Sequence, residues 1–248
     1  MLSGFGFEGR QVVVTGGTGA LGTALIELLV REGAQCIVPC VIPAEHERFR
    51  FRGHPQVDVR FPVELADEAQ VTALYAGLDR LWASVHIAGG FGMSGFLETD
   101  LATFSAQVDM NLRTCFLTCR EAARRLAANA ARGVGGAKGG EGGGRLVNIA
   151  ARPALRPEQG AGMVPYAVSK SGVATLTQSL AAELLGAGVF VNAIAPSVLD
   201  TPANRAAMPD ASASDWVPLG AAAELIAWLA SPANQAVTGA IVPIYNRA

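Results

Sequence analysis

Short apolar runs alternate along the chain with longer segments in which apolar residues recur every three or four positions. That is the pattern of parallel strands buried by the helices that connect them. In the first unit Gln11–Thr15 reads as a buried strand, Gly16–Gly22 as a glycine turn and Ala20–Arg31 as a helix closed by Gly33, with Gln35–Ile42 as the next strand. Further strands are expected at Val57–Val63, Leu81–Ala88, Arg145–Ala150, Val189–Ile194 and Ala240–Ile244. Helices are expected at Asp67–Gly77, Leu101–Arg132, Tyr166–Gly186 and Leu219–Ala230. Residues 133–145 carry eight glycines and read as a flexible loop. Because the loop precedes a strand, it belongs to the amino-terminal edge of the sheet, away from the edge where ligands of such folds bind.

Composition narrows the class. Of 248 residues, 50% are hydrophobic and 16% charged, enough for one large core and too apolar for a disordered or disulfide-stapled chain. The 19 basic and 21 acidic residues leave a net charge of -2, which offers no field to hold nucleic acid or an anionic membrane. Glu8 and Arg10 interrupt the start where a secretory signal needs an apolar stretch, so a cytoplasmic location is expected. The thinly charged, alanine-rich helices suggest an apolar face for a homodimer or homotetramer. The four cysteines, Cys36, Cys40, Cys115 and Cys119, form no CxxC, and His46, His54 and His86 add no ligand spacing. They read as small buried hydrophobes, and no metal is assigned.

Two motifs carry chemistry. Gly17-Thr18-Gly19-Ala20-Leu21-Gly22 fits GxGxxG between a strand and a helix, where missing side chains let backbone N–H groups reach a pyrophosphate. Tyr166 and Lys170 stand one helical turn apart, and an ammonium there would lower the pKa of the phenol toward a useful acid. Only two of the 19 basic residues are lysines and only three residues are tyrosines, so this pairing stands out from chance.

With these motifs the chain resembles the short-chain dehydrogenase/reductase family over nearly its whole length. The resemblance rests on Thr15-Gly16…Ala20…Gly22, on Asn111 in a long helix, on Tyr166…Lys170 and on Val191-Asn192-Ala193-Ile194-Ala195-Pro196. It implies a nicotinamide dinucleotide, NAD or NADP, and a small-molecule substrate. Tyr166 would give a proton to the substrate, Lys170 would hold the nicotinamide ribose and tune Tyr166, and Asn111 would orient a water beside Lys170. The remaining implied cofactor positions are Cys40 after the second strand, Glu64 and Leu65 after the third, Ala88, Gly89 and Gly90 after the fourth, then Pro196 and Thr201.

Three departures matter. The family serine that polarises the substrate oxygen is Ala151 here, His86 stands where the family has an asparagine, and Cys40 takes the place of an acid that grips the adenosine ribose. Loss of the serine, together with Ala88-Gly89-Gly90-Phe91, Gly162-Met163-Val164-Pro165-Tyr166 and the stretch Leu199–Pro209, is similar to dihydropteridine reductases within the family. Residues 197–218 would then cover the substrate cleft, with Phe91, Ala151, Met163, Asn204, Arg205, Met208 and Trp216 as its lining. Arg48-Phe49-Arg50-Phe51-Arg52 offers guanidinium groups to a ribose 2′-phosphate, which leans the reading slightly to NADP. The expectation is one α/β domain over residues 1–248, a doubly wound Rossmann-type parallel sheet with strands ordered 3-2-1-4-5-6-7. It would act as an NAD(P)-dependent oxidoreductase on a small carbonyl, quinonoid or imine-like substrate. The alternatives are a dihydropteridine-type reductase and a catalytically silent dinucleotide sensor or assembly protein.

Overall fold

Val12, Val13 and Val14 are fully buried, and alternation along the strand sends them to opposite faces of one sheet. Val12 and Val14 join Leu25, Ile26, Leu29, Ile226 and Leu229 in one core, whereas Val13 joins Val71, Leu74, Leu126, Leu146 and Val191 in a second. A strand buried on both faces needs helices on both faces, and the computed structural model, which describes residues 4–133 and 143–247, has that arrangement.

The elements run β1 (Gln11–Thr15), α1 (Ala20–Arg31), β2 (Gln35–Pro39), α2 (Pro43–Arg48), β3 (Val57–Arg60), α3 (Glu68–Ala76) and β4 (Leu81–His86). They continue with α4 (Leu101–Val108), α5 (Thr114–Ala131), β5 (Gly144–Ile149), α6 (Arg152–Leu155), α7 (Val164–Leu184) and β6 (Val189–Pro196), then α8 (Pro202–Ala207), α9 (Leu219–Ala230) and β7 (Ile241–Ile244). The seven strands are parallel, ordered β3-β2-β1-β4-β5-β6-β7, as expected. Among the described residues no helix is long and apolar enough to cross a membrane. Most of the glycine-rich stretch, residues 134–142, lies outside the described residues.

The structure departs from the sequence reading where local chemistry overrides the apolar pattern. β2 stops at Pro39, three residues early, because Pro43 begins α2 and Val41 and Ile42 turn outward. β3 stops at Arg60 because Pro62 has no N–H for the ladder. The single helix expected over Leu101–Arg132 becomes α4 and α5 joined by a π turn at Asp109–Arg113. Such turns mark functional positions in many helices, and this one contains Asn111.

Candidate active site

The order reverses between β1 and β4, and there the carboxyl ends of β1, β2, β3 and β4 open a cleft of about 560 Å³. Thr18, Gly19, Ala20, Leu21 and Gly22 form its floor, and Cys40, Glu64, Leu65, Ala88 and Gly89 stand around it. The glycines have separate jobs. Gly16 adopts φ +65°, and a Cβ there would lie 2.7 Å from Ala88 N. At Gly22 a Cβ would collide with the Gly16 carbonyl and come within 2.5 Å of Gly17 Cα, so the first turn of α1 rests directly on the loop. The missing side chain of Gly17 faces the core, 2.8 Å from Ile26 Cδ1 and Val38 Cγ1, so a Cβ there would press on the packing under the turn. Gly19 is the open one: a Cβ there meets only the Gly16 carbonyl at 3.3 Å. No side chain caps α1 at Gly19, so its first N–H groups remain available to an anion. A pyrophosphate fits this cradle.

Thr15 is buried and off the cleft wall, where its Oγ1 accepts from Ala88 N at 3.2 Å and ties β1 to the turn after β4. Pro196 ends β6, also away from the wall. Thr201 Oγ1 accepts from Asn204 N at 3.1 Å and caps α8. Sequence reasoning missed Glu45, Asp109, Met110 and Thr114, which also line the cleft. Glu45 Oε2 accepts from Thr18 Oγ1 at 2.5 Å, a contact between residues 27 apart that no local pattern announces. The arginine run lies elsewhere. Arg50 pairs with Glu27 and lies over the Phe51 ring, Arg48 is largely exposed, and none of Arg48, Arg50 or Arg52 lines the cleft.

At the other end, α7 and the π turn bring Lys170 and Asn111 to Gly89 and Gly90, and Tyr166 to Phe91. Lys170 is buried and donates from Nζ to Ile149 O at 2.9 Å. Asn111 Oδ1 accepts from Gly90 N at 3.2 Å, and its Nδ2 donates to Gly90 O at 3.0 Å and Gln107 O at 3.1 Å. A Cβ on Gly89 would fall 2.6 Å from Asn111 Oδ1 and 3.5 Å from Lys170 Nζ, so glycine is what lets the two approach. Burial lowers the Lys170 ammonium to about 8, with Cys115 drawing it part of the way back. Burial also pushes the Tyr166 phenol up to about 12. The expected lowering by Lys170 is therefore not what the protein alone displays, because Nζ lies 5.9 Å from the ring centre and turns toward Ile149.

Phe91 meets Tyr166 edge-on with centroids 5.0 Å apart, which places an exposed aromatic wall beside the phenol. Gly162 O accepts from Ser94 N at 3.0 Å and joins the loop before Met163 to the loop after Phe91. Ala151, buried with extended backbone, presents a methyl group where a hydroxyl was sought. In residues 197–218 the Asn204 amide donates to Leu199 O at 2.8 Å, and Arg205 grips Asp200 through two bonds of 2.6 and 2.7 Å. Trp216 is buried while Met208 stays exposed. Asn204 and Arg205 thus spend their side chains inside the segment, on Leu199 and Asp200.

His86 is buried behind the site. It shares hydrogen bonds with Ser84 at 2.9 Å and Asn148 at 2.7 Å, and Tyr75 extends the chain through Ser84. Cys119 joins it, with Sγ 3.3 Å from His86 Nδ1 and 4.0 Å from Cys115 Sγ. The three metal-capable groups meet in space although no sequence spacing suggested it. The Cys119 thiol donates to Asn148 Oδ1 at 3.3 Å, and burial pushes it well above the usual thiol range.

Comparison with known proteins gives consistent results. The family described as short chain dehydrogenase matches residues 10–212. The chain is 30% identical to the cis-4-hydroxycyclohexanecarboxylate dehydrogenase of Sinomonas cyclohexanicum, covering 97% of each chain. It is 27% identical to the dihydropteridine reductase of Dictyostelium discoideum, covering 94% of this chain and 93% of that one. Its fold matches a 3-ketoacyl-(acyl-carrier-protein) reductase from Brucella melitensis complexed with NADH, with TM-score 0.82, 22% identity and coverage of 97% and 99%. The similarity to a dihydropteridine reductase is one among several of comparable strength.

Proposed function

Because the chain belongs to the short-chain dehydrogenases, a family of NAD(P)-dependent oxidoreductases, we propose that it reduces a small carbonyl, quinonoid or imine-like substrate with Tyr166 as the acid. When bound, the dinucleotide supplies the hydride from C4 of its nicotinamide; everything else is work for this chain. The N–H groups opening α1 would hold the pyrophosphate. Tyr166, with its phenol held near 12, keeps its proton at neutral pH and so is in the form that donates. As the proton leaves, the phenolate needs a counter-charge, and Lys170, still mostly protonated at pH 7, supplies it from one turn away. Asn111 keeps Gly89 and Gly90 against Lys170 and positions that ammonium.

The observation that carries this reading is the meeting of Lys170 and Asn111 at Gly89, one helical turn from Tyr166 with its Phe91 wall, beside a cleft with an anion cradle. It also supports an enzyme over a silent sensor. The buried methyl of Ala151 bears on substrate class: a ketone oxygen lacks one side-chain donor during reduction, whereas a quinonoid or iminium ring gains aromaticity or loses charge and needs less help. We place Phe91, Met163 and Met208 on the substrate side of the phenol. We also propose a homodimer or homotetramer, joined through Phe96, Leu97, Leu101, Phe104 and Phe116, all exposed near α4 and α5. A cytoplasmic setting would keep its four free cysteines reduced. The test is stopped-flow oxidation of bound NADH or NADPH against quinonoid dihydropterin, ketones, quinones and imines. Oxidation by at least one class is expected, and no reaction with any of them would remove the assignment.

A further inference from the structure

Among the described residues the charged side chains that line the dinucleotide cleft are Glu45, Glu64 and Asp109, with no lysine or arginine beside them. We infer that Glu45 on α2 sets coenzyme choice in favour of NADH, taking over from the short helix the task that Cys40 at the end of β2 lacks the charge to perform. The inference rests on the dinucleotide reading above.

In a doubly wound sheet the adenosine ribose lies just beyond the end of β2, where an acid accepts from its 2′-hydroxyl. Here that place is framed by Cys40, Val41 and Ile42, and the Cys40 thiol is turned to Ile42 O at 3.5 Å. The carboxylate that reaches it comes from Glu45, which is partly buried and fixed from two sides. Thr18 of the glycine turn donates to Oε2 at 2.5 Å, and Arg48 Nη2 lies 3.6 Å from Oε1. Thr18 also lines the cleft floor, so the carboxylate is tied to the loop that cradles the pyrophosphate. A ribose hydroxyl would find an acceptor there. A 2′-phosphate would instead meet a fixed negative charge with no lining cation to offset it.

Arg48 makes the arrangement reversible. Its guanidinium is the nearest cation, but it is 71% exposed and engaged with Glu45. Neutralising Glu45 removes the repulsion and also frees Arg48 to pair with a phosphate. A single change should therefore shift preference through two additive effects, and a second change should separate them.

The test is direct binding of NADH and NADPH, followed by calorimetry or by nicotinamide fluorescence, to wild type, Glu45→Gln, and Glu45→Gln with Arg48→Ala. Circular dichroism and melting checks that each is folded. Wild type should bind NADH at least tenfold more tightly than NADPH. Glu45→Gln should shrink that ratio tenfold or more, chiefly through tighter NADPH binding, and adding Arg48→Ala should take back part of the gain. Equal binding of both coenzymes by wild type, tighter binding of NADPH, or a ratio unmoved in folded Glu45→Gln would overturn the role of Glu45 while leaving the dinucleotide site standing. Failure of wild type to bind either would instead remove the dinucleotide reading, and this inference with it.

Discussion

Replacing Lys170 by methionine keeps the length and most of the volume of the side chain while deleting its charge, so it isolates what the buried ammonium costs the fold. Burial lowers this group from 10.5 to about 8, and at 1.36 kcal/mol per unit that is about 3 kcal/mol held against folding at neutral pH. The bond from Nζ to Ile149 O returns part of it, and losing that donor costs the variant about 1 kcal/mol. The net expectation at pH 7 is a variant more stable by roughly 2 kcal/mol, a rise in Tm of roughly 4–8 °C for a chain of this size. The pH dependence gives the sign. Between pH 8 and 10.5 the folded lysine is neutral while the unfolded one is still protonated, so wild type gains stability as pH rises through this window and Lys170→Met does not. The advantage of the variant should accordingly be full below pH 8 and vanish by about pH 10. The assay is denaturant unfolding of both proteins from pH 6.5 to 10 at one protein concentration. A variant less stable than wild type at pH 7, with a gap that stays constant across the range, would refute the reasoning.

Three further outcomes follow from the geometry. Gly19→Val should fold normally, since the added side chain meets little but the Gly16 carbonyl, yet lose NADH and NADPH binding in calorimetry because it fills the cradle. Ala151→Ser should raise kcat/KM for a ketone, by up to about 100-fold if the hydroxyl replaces the missing donor, and should leave a quinonoid substrate unimproved, because little charge develops there for the hydroxyl to meet. Light scattering at micromolar concentration should give a dimer or tetramer mass, and Leu97→Asp, on the exposed apolar face, should shift it toward monomer.

The first βαβ unit and the strand order were legible because burial of β1 on both faces and the glycine turn are local signals. Tyr166 and Lys170 were legible for the same reason, being one helical turn apart. What escaped was written across distant residues or in weak local patterns. Helix α2 has the sequence Pro-Ala-Glu-His-Glu-Arg and buries none of its residues, so it shows no apolar period, and with it the position of Glu45 over Thr18 went unread. The π turn at Asp109–Arg113 leaves the apolar pattern continuous while it places Asn111 against Gly90. His86, Cys115 and Cys119 meet only because β4 and α5 pack together. Likewise, proximity in sequence suggested a phosphate role for the arginines after β2, but folding carries Arg50 to Glu27 on α1.

The central claim is that the proton comes from Tyr166, and removing one oxygen atom tests it most directly. Wild type and Tyr166→Phe, each loaded with NADH or NADPH, are mixed with a substrate found reactive for wild type, and single-turnover oxidation is followed at pH 7. The account predicts nearly unchanged coenzyme affinity and a rate lower by about 100-fold or more, the scale of a positioned acid. Equal single-turnover rates in the two proteins would contradict it.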